Sequence, residues 1–573
     1  MKSQNKLAIL LLLCTLLSAF AVVFAKTENL VVYAEEGIKM LEEKPEVAEV
    51  EVKNFPNRIF TTIYDDPKTN MSFAWYTTDK FEDALVLVST NEDMSEPMEF
   101  KPEINEVESK YLEKTAEGHI IFSYTEEDEN GEEITLYATD EGMEDNKLYM
   151  AGRMHGYVEM IPVTEYTYHA VAEGLEPDTQ YFYQLGSKEG VMSAVGKFHT
   201  ASEESDSLKF IHFADTQNAF WNENVYNEPT FSADAFKRAL EVAGDDLDFV
   251  IHGGDVVERG EIEDEWLDLC SQMEESMLQV PLLIAPGNHE DMRANRDGQD
   301  IPYLFNYHIN QPVTNDAINS GSYFSFDYNN IHFVLLNTED NRQSSDNFEG
   351  GCMGFQQLDW LEADLAAAVE KDYNWIIAAH HKPLFSKTYW SFDPDITKIR
   401  FEWHEIYDKY GVDLALQAHS HCLSRSLPLA QNLDSESFIK AEVADFELEE
   451  KDGIEYYVNP QGAVYTLPNG IGTKSYEITH VSEQEAVYAA RPDFIWMEND
   501  QIDHFNGLFA DLDVSSFERY DSVDHDCALQ HFTIYEIKGK ELTSVTYEIS
   551  GDLHKGEERE MKIVDQFGIV KED

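Results

Sequence analysis

Asp215, Asp255, Asn288, His381, His419 and His421 have side chains suited to holding metal ions, and each stands at or just past the end of a short apolar run. The runs close on Asp215-Thr216-Gln217, Gly253-Gly254-Asp255, Pro286-Gly287-Asn288-His289-Glu290, His380-His381-Lys382-Pro383 and Ala418-His419-Ser420-His421. Carboxylate, amide and imidazole donors without thiolate suit iron, manganese or zinc. One carboxylate can bridge two ions about 3.5–4 Å apart, a spacing suited to in-line displacement at phosphorus. Each fragment alone is weak: Gly-Asp recurs by chance or caps a helix, and a lone histidine is more often packed than ligating. His-x-His is stronger, because alternate strand residues point to the same side. An Asn-His pair after a Pro-Gly turn has little reason to close a buried strand. All five in order, each at a strand end, point to a reaction centre.

The elements that must bring these groups together are legible as well. Apolar runs at 210–214, 249–252, 282–285, 331–337, 375–379 and 414–418 read as buried strands, with helical periodicity at 233–243, 261–277 and 356–369. Alternating β and α elements predict a layered α/β domain over 204–480. In such a sheet the carboxyl ends of the strands share one edge, so residues far apart in sequence can converge there. Residues 51–203 instead give short alternating strands with turns between them, the pattern of an all-β sandwich. Asn130-Gly131, between runs at 119–124 and 134–137, signals a hairpin. The stretch from Gly174 through Pro177 to Tyr183 resembles a fibronectin type III loop and strand. Residues 481–573 form a C-terminal extension whose hairpin, over 532–537 and 542–549, is expected to pack on the catalytic domain.

The chain opens with Lys2 and Lys6, an apolar run over 7–17 and small residues at Ala19, Ala21 and Ala25. That order predicts a secretory signal at 1–25 rather than a membrane anchor, because the apolar stretch is short. An acidic linker at 26–50 follows. With 111 acidic against 41 basic side chains, the net charge of −70 opposes binding to nucleic acid or an anionic membrane face. Cys270, Cys352, Cys422 and Cys527 lack the C-x-x-C spacing of a zinc-thiolate site and are too few for a disulfide scaffold.

The ordered motifs resemble those of the calcineurin-like metallophosphoesterase superfamily. The β-domain, through Arg58-Ile59, Asp66-Pro67-Lys68-Thr69 and Trp75, is similar to that of its purple acid phosphatase-like branch. The resemblance implies a four-layer α-β-β-α metallophosphoesterase sandwich preceded by a fibronectin III-like domain. It implies two metal ions, iron with zinc or manganese: Asp215, Asp255 and His421 would hold the first, Asn288, His381 and His419 the second, with Asp255 bridging. His289 would be the general acid or a transition-state hydrogen-bond donor. The implied activity is hydrolysis of small phosphate monoesters outside the cell by a metal-held hydroxide. The same centre also fits a phosphodiesterase acting on cyclic nucleotides or lipid headgroups, and the domain pair fits a surface binding protein without turnover.

Three departures separate this chain from the resemblance. Glu258 stands where the purple enzymes carry the tyrosine that colours ferric iron, so a purple protein is not expected. Gln217 stands where many relatives carry a histidine, leaving Gln217 and Glu258 as metal ligands or outer supports. No histidine lies between His381 and His404, so Lys382, Lys387, Tyr389 or Arg425 are the expected phosphate contacts.

Overall fold

The computed structural model describes residues 40–127, 131–141, 157–203, 205–217, 228–290, 308–312, 314, 322–339, 355–437, 439–475, 499–512 and 529–572. The signal segment, most of the linker, Cys352 and Cys527 lie outside the described residues. The first half of the chain forms β1 (Asn57–Thr62), β2 (Asn70–Thr77), β3 (Ala84–Ser89), β4 (Met98–Phe100), β5 (Glu103–Leu112), β6 (Ile121–Glu127), β7 (Glu133–Thr139), β8 (Tyr157–Val158), β9 (Met160–Glu173), β10 (Gln180–Ser187) and β11 (Gly196–His199). Two four-stranded sheets, β1-β2-β9-β5 and β11-β10-β3-β4, form the sandwich. Their inward-facing residues, among them Phe73, Val86, Val88, Tyr183 and Leu185, make its core, with Trp75 stacked on Tyr168 at 5.0 Å.

The Asn-Gly signal holds: β6 and β7 pair antiparallel from Ile121↔Thr139 to Glu127↔Glu133, and β8 joins β6. This three-stranded sheet belongs, with residues 40–50, to one of two compact units, and the sandwich strands β1–β4, β10 and β11 and the α/β region belong to the other. The linker expectation needs correction over its described part. Leu41 exchanges backbone hydrogen bonds with Tyr137, the Ala48 N–H donates to the Lys114 carbonyl, and Lys44 bridges Glu113 and Glu159.

Within the larger unit, the α/β region runs β12 (Ser207–Phe213), α1 (Glu228–Ala243), β13 (Phe249–His252), α2 (Glu263–Met277), β14 (Leu282–Ile284), β15 (Phe324–Tyr328), β16 (Ile331–Leu336), α3 (Phe355–Lys371), β17 (Trp375–His380), α4 (Pro394–Tyr410) and β18 (Leu414–Leu416). It continues with β19 (Ser424–Arg425), β20 (Leu429–Gln431), β21 (Ala441–Val443), β22 (Glu447–Lys451), β23 (Ile454–Val458), β24 (Val464–Leu467), α5 (Asn499–Asn506), β25 (Gln530–Lys538), β26 (Glu541–Ser550) and β27 (Glu560–Val570). An eight-stranded sheet, β14-β13-β12-β25-β26-β27-β23-β22, faces a six-stranded one, β15-β16-β17-β18-β24-β19. Phe210, Phe249, Phe333, Trp375, Leu414 and Tyr535 fill the space between them. α1 and α2 cover the first sheet through Phe236, Trp266 and Leu269. α3, α4 and α5 cover the second through Leu361, Trp403 and Phe505. The result is four layers, α-β-β-α.

The C-terminal hairpin is not an appendage packed on this domain. β25 pairs antiparallel with β12 from Ser207↔Lys538 to His212↔Thr533, so the hairpin completes the first sheet from inside, and β27 extends it. A buried ion cluster joins the sandwich to the α/β region. Arg58 of β1 donates to Glu165 of β9 at 2.7 Å and to Glu263 at the start of α2 at 2.5 Å. His308 meets the same Glu263 oxygen at 3.0 Å and stacks on Trp266 at 4.1 Å.

Candidate metal centre

Parallel pairing aligns β12, β13 and β14 in one sheet and β16, β17 and β18 in the other. The loops after these strands carry the motif residues, and their backbone is unusual. Asp215, Gln217, Asp255, His419 and His421 all have positive φ, between 41° and 71°. Each such non-glycine conformation costs on the order of 1–3 kcal/mol and persists only where its surroundings enforce it. The enforcement is visible. The Asp215 N–H donates to the Gly254 carbonyl at 3.0 Å and the Gln217 N–H to the Asp255 carbonyl at 2.9 Å. The His419 N–H donates to both Asp215 carboxylate oxygens, at 3.2 and 3.0 Å. Glu290 accepts the N–H groups of Asp255, Val256 and Gly287 at 3.0, 2.7 and 2.6 Å, binding two motif loops together. Gly287 must be glycine, because a Cβ there would sit 2.1 Å from Asp255 Oδ1.

The side chains then converge. His381 donates through Nδ1 to the Gly253 carbonyl at 2.9 Å, which turns its Nε2 inward. That nitrogen lies 3.0 Å from Asp255 Oδ2, 3.1 Å from Asn288 Oδ1 and 3.2 Å from His419 Nδ1. With Nδ1 carrying the proton of a neutral imidazole, Nε2 is an acceptor facing three other acceptors, which is repulsive unless a cation lies among them. Asp255, His381 and His419 offer ligand atoms all within 4.8 Å of one another. Asp215 Oδ1 is 3.6 Å from His421 Nε2, whose Nδ1 is tied to the Lys474 carbonyl at 3.2 Å. Among the described residues, the Asp255, His381 and His419 donors are close enough to share one cation, and Asp215 and His421 add oxygen and imidazole donors of the same kind.

The electrostatics agree. Burial pushes the Asp215 carboxyl up to about 8, with Asp255 adding to the shift and His381 opposing it. Burial, reinforced by Asp255, raises Glu290 to about 7. Burial works against the His381 imidazolium, yet Asp255 outweighs it and raises the group to about 9. Burial also resists ionisation of Asp255, but His381 and His289 hold its carboxyl well below the usual range. Without metal, one proton on His381 stands in for a cation.

The remaining sequence candidates separate. His289 joins the site: its N–H donates to Asp255 Oδ1 at 2.8 Å, and its Nδ1 is fixed on the Glu258 carbonyl at 2.8 Å. Its Nε2 lies 3.8 Å from Asp255 Oδ2. The Glu258 carboxylate accepts from Lys474 Nζ at 2.5 Å and lies 3.5 Å from His289 Nδ1. Gln217 is buried, with Nε2 3.5 Å from Asp255 Oδ2. Two expected phosphate contacts are corrected. Lys382 is buried between Glu339 and Asp395, at 2.5 and 2.8 Å. Arg425 is paired with Asp565 of β27 at 2.7 Å. Lys387 is half-buried, and the side chain of Tyr389 lies outside the described ones. Sequence reasoning missed Glu290 as a clamp and Lys474 as the anchor of both Glu258 and His421. Gly470-x-Gly472 was the available signal for that loop: a Cβ on Gly472 would meet the Thr216 carbonyl oxygen at 2.4 Å.

Comparison with known proteins bears on both regions. The calcineurin-like phosphoesterase family pattern matches residues 208–423, and the purple acid phosphatase N-terminal domain pattern matches residues 56–200. An acid phosphatase type 7 from Danio rerio is 25% identical over 339 residues, covering 54% of this chain and 65% of that protein. A probable inactive purple acid phosphatase from Arabidopsis thaliana is 24% identical over 295 residues, 47% of this chain and 44% of that one. The chain spans about half the length of the curated relatives it matches first. A purple acid phosphatase from yellow lupin seeds shares the fold, with a TM-score of 0.55 at 17% identity over 91% of this chain and 75% of that one.

Proposed function

We propose that this chain, which belongs to the calcineurin-like phosphoesterase family and carries the purple acid phosphatase N-terminal domain, hydrolyses phosphate monoesters with two metal ions. The observation that carries the reading is His381 Nε2, buried within 3.2 Å of Asp255 Oδ2, Asn288 Oδ1 and His419 Nδ1, so that four atoms able to hold a metal meet at one point. Asp215, Asp255 and His421 would hold one ion, and Asn288, His381 and His419 the other, with Asp255 shared. Bound ions of this kind lower the pKa of a water and offset charge on the phosphoryl group. His289 supplies the proton. Its Nδ1–H is held by the Glu258 carbonyl, so the proton to be given to the leaving oxygen sits on Nε2, on the Asp255 side. Glu290 keeps the Asp255 and Asn288 loops in register.

Small phosphoesters are the substrates that fit, since the net charge of −70 opposes polyanions. Among the described residues no helix is long and apolar enough to cross a membrane, and the N-terminal pattern supports export of the protein. Protein purified without chelator should cleave p-nitrophenyl phosphate faster than bis(p-nitrophenyl) phosphate. The reverse order would favour a phosphodiesterase. Metal-loaded protein that cleaves neither would favour a binding protein.

A further inference from the structure

The insertion of β25 beside β12 brings the C-terminal hairpin to the edge of the sheet where the motif residues gather. β25 runs antiparallel to β12, and beyond the pair His212↔Thr533 the register carries Gln530 level with Asp215. The loop 470–474 is bonded to both strand ends. Ile471 and Gly472 donate their N–H groups to the Ala214 and Asp215 carbonyls at 2.9 and 3.2 Å. The Gly470 carbonyl accepts the His531 N–H at 3.1 Å, and the Gly472 carbonyl accepts from Gln530 Nε2 at 3.3 Å. Ser232 Oγ of α1 donates to the Ile471 carbonyl at 3.3 Å. Gln530 is fully buried, and Arg559 sets its amide: Arg559 Nη2 donates to Gln530 Oε1 at 2.5 Å, which leaves Nε2 turned to the loop. Arg559 is itself held by Asp234 of α1 at 2.9 Å and by the Gly551 carbonyl at 2.6 Å. At its far end the loop delivers Lys474, whose carbonyl accepts from His421 Nδ1 at 3.2 Å.

We infer that Gln530, seated by Arg559, is a positioning residue: through it the C-terminal hairpin clamps the 470–474 loop and thereby orients the imidazole of His421. The inference rests on the two-cation reading above, in which His421 holds one ion. The ring of a ligand histidine is aimed, and its tautomer fixed, by the acceptor that its other nitrogen meets. Here that acceptor is a main-chain carbonyl, so its place is set by whatever holds the loop. Gln530, Arg559 and the loop all lie beyond residue 423, where the phosphoesterase pattern ends, so the clamp is a feature of this chain outside the matched region.

The test is metal binding, not turnover. Chelator-treated full-length protein is titrated with Mn²⁺, free Mn²⁺ being read by electron paramagnetic resonance, beside thermal unfolding of the metal-free form. Gln530→Glu keeps the size and the Arg559 partner but has no N–H for the Gly472 carbonyl. It should weaken one of the two Mn²⁺ steps about tenfold and leave the other unchanged, while the metal-free protein unfolds close to the wild-type temperature. Gln530→Met loses both contacts and should weaken the same step at least as much, with a lower Tm. Thr533→Val is the control: it breaks the Thr533–Thr546 contact at 2.8 Å elsewhere in the hairpin and should leave both steps unchanged whatever its Tm. Wild-type affinity at both steps in either Gln530 variant overturns the inference. An equal weakening in Thr533→Val also overturns it, because the effect would then be one of general stability. Asp255→Asn run alongside separates the two failures. If it loses both ions while the Gln530 variants lose none, only the clamp is wrong; if it keeps both ions, the two-cation reading fails first.

Discussion

The molecule buries two clusters of charged and imidazole groups, and they are built on opposite terms. In the cluster joining the sandwich to α2, Arg58 meets Glu165 and Glu263, and His308 meets Glu263. Burial alone would raise the Glu263 carboxyl, but His308 and Arg58 outweigh it and hold the group below its ordinary value. Both signs come from the protein, and the cluster closes on itself. At the strand ends, Asp215, Asp255 and Glu290 crowd around the imidazoles of His381, His419 and His421, and Asp215 and Glu290 are pushed up to about 8 and about 7 by burial. Five of the residues there also hold left-handed backbone. A buried network that satisfies itself stabilises the fold, whereas one left short of cations is arranged for something that arrives from outside.

That contrast can be broken from either side. The largest expected effect is His289→Ala, which should lower turnover by roughly two to four powers of ten while leaving metal content and melting temperature near wild type. A loss of metal in this variant would move His289 from proton donor to structural support. Next, Glu263→Ala should cost about 3–5 kcal/mol of stability in denaturant unfolding, because it leaves Arg58 buried with one partner fewer. Folded Glu263→Ala protein should still bind metal, and failure to do so would mean the two clusters are one system. The smallest effect is on pH dependence. Asp215, Glu290 and His381 keep their protons to about 8, 7 and 9 in the folded chain, against 3.8, 4.5 and 6.5 as ordinary values. Buried His212, His252, His380 and His421, held down to about 3, act in the opposite sense up to about 7. Above that the folded state binds more protons than the unfolded one, and raising the pH from about 7 to about 9 draws metal-free protein toward unfolding. Cations displace these protons. The gap in Tm between metal-loaded and chelated protein should widen over that window, and a constant gap would assign the cluster a purely structural role.

The sequence carried the candidate metal-binding residues further than it carried their surroundings. Asp215, Asp255, Asn288, His381, His419 and His421 stood out because metal chemistry restricts residue type and strand ends restrict position. A layered α/β domain followed from the alternation of apolar runs with helical periodicity, and its four layers from the family resemblance. The fate of a basic side chain was not legible. Lys382 and Arg425 looked available for phosphate, yet Arg425 meets Asp565, 140 residues later, and Lys382 is held by Glu339 and Asp395. Such pairing depends on which strands become neighbours. The insertion of β25 beside β12 was hidden for the same reason: an alternating hairpin shows which face is apolar, not which edge it joins. Glu290 stood inside a recognised motif, but its work is done on backbone N–H groups, which no residue type announces.

The most direct test of the central claim is metal content per chain, measured on protein purified without chelator beside the Asp255→Asn variant. The strand-end cluster predicts close to two ions per native chain and loss of both together in the variant, because the shared carboxylate is gone. Two ions retained by the variant, or none in a native protein that still turns over phosphoesters, would contradict it.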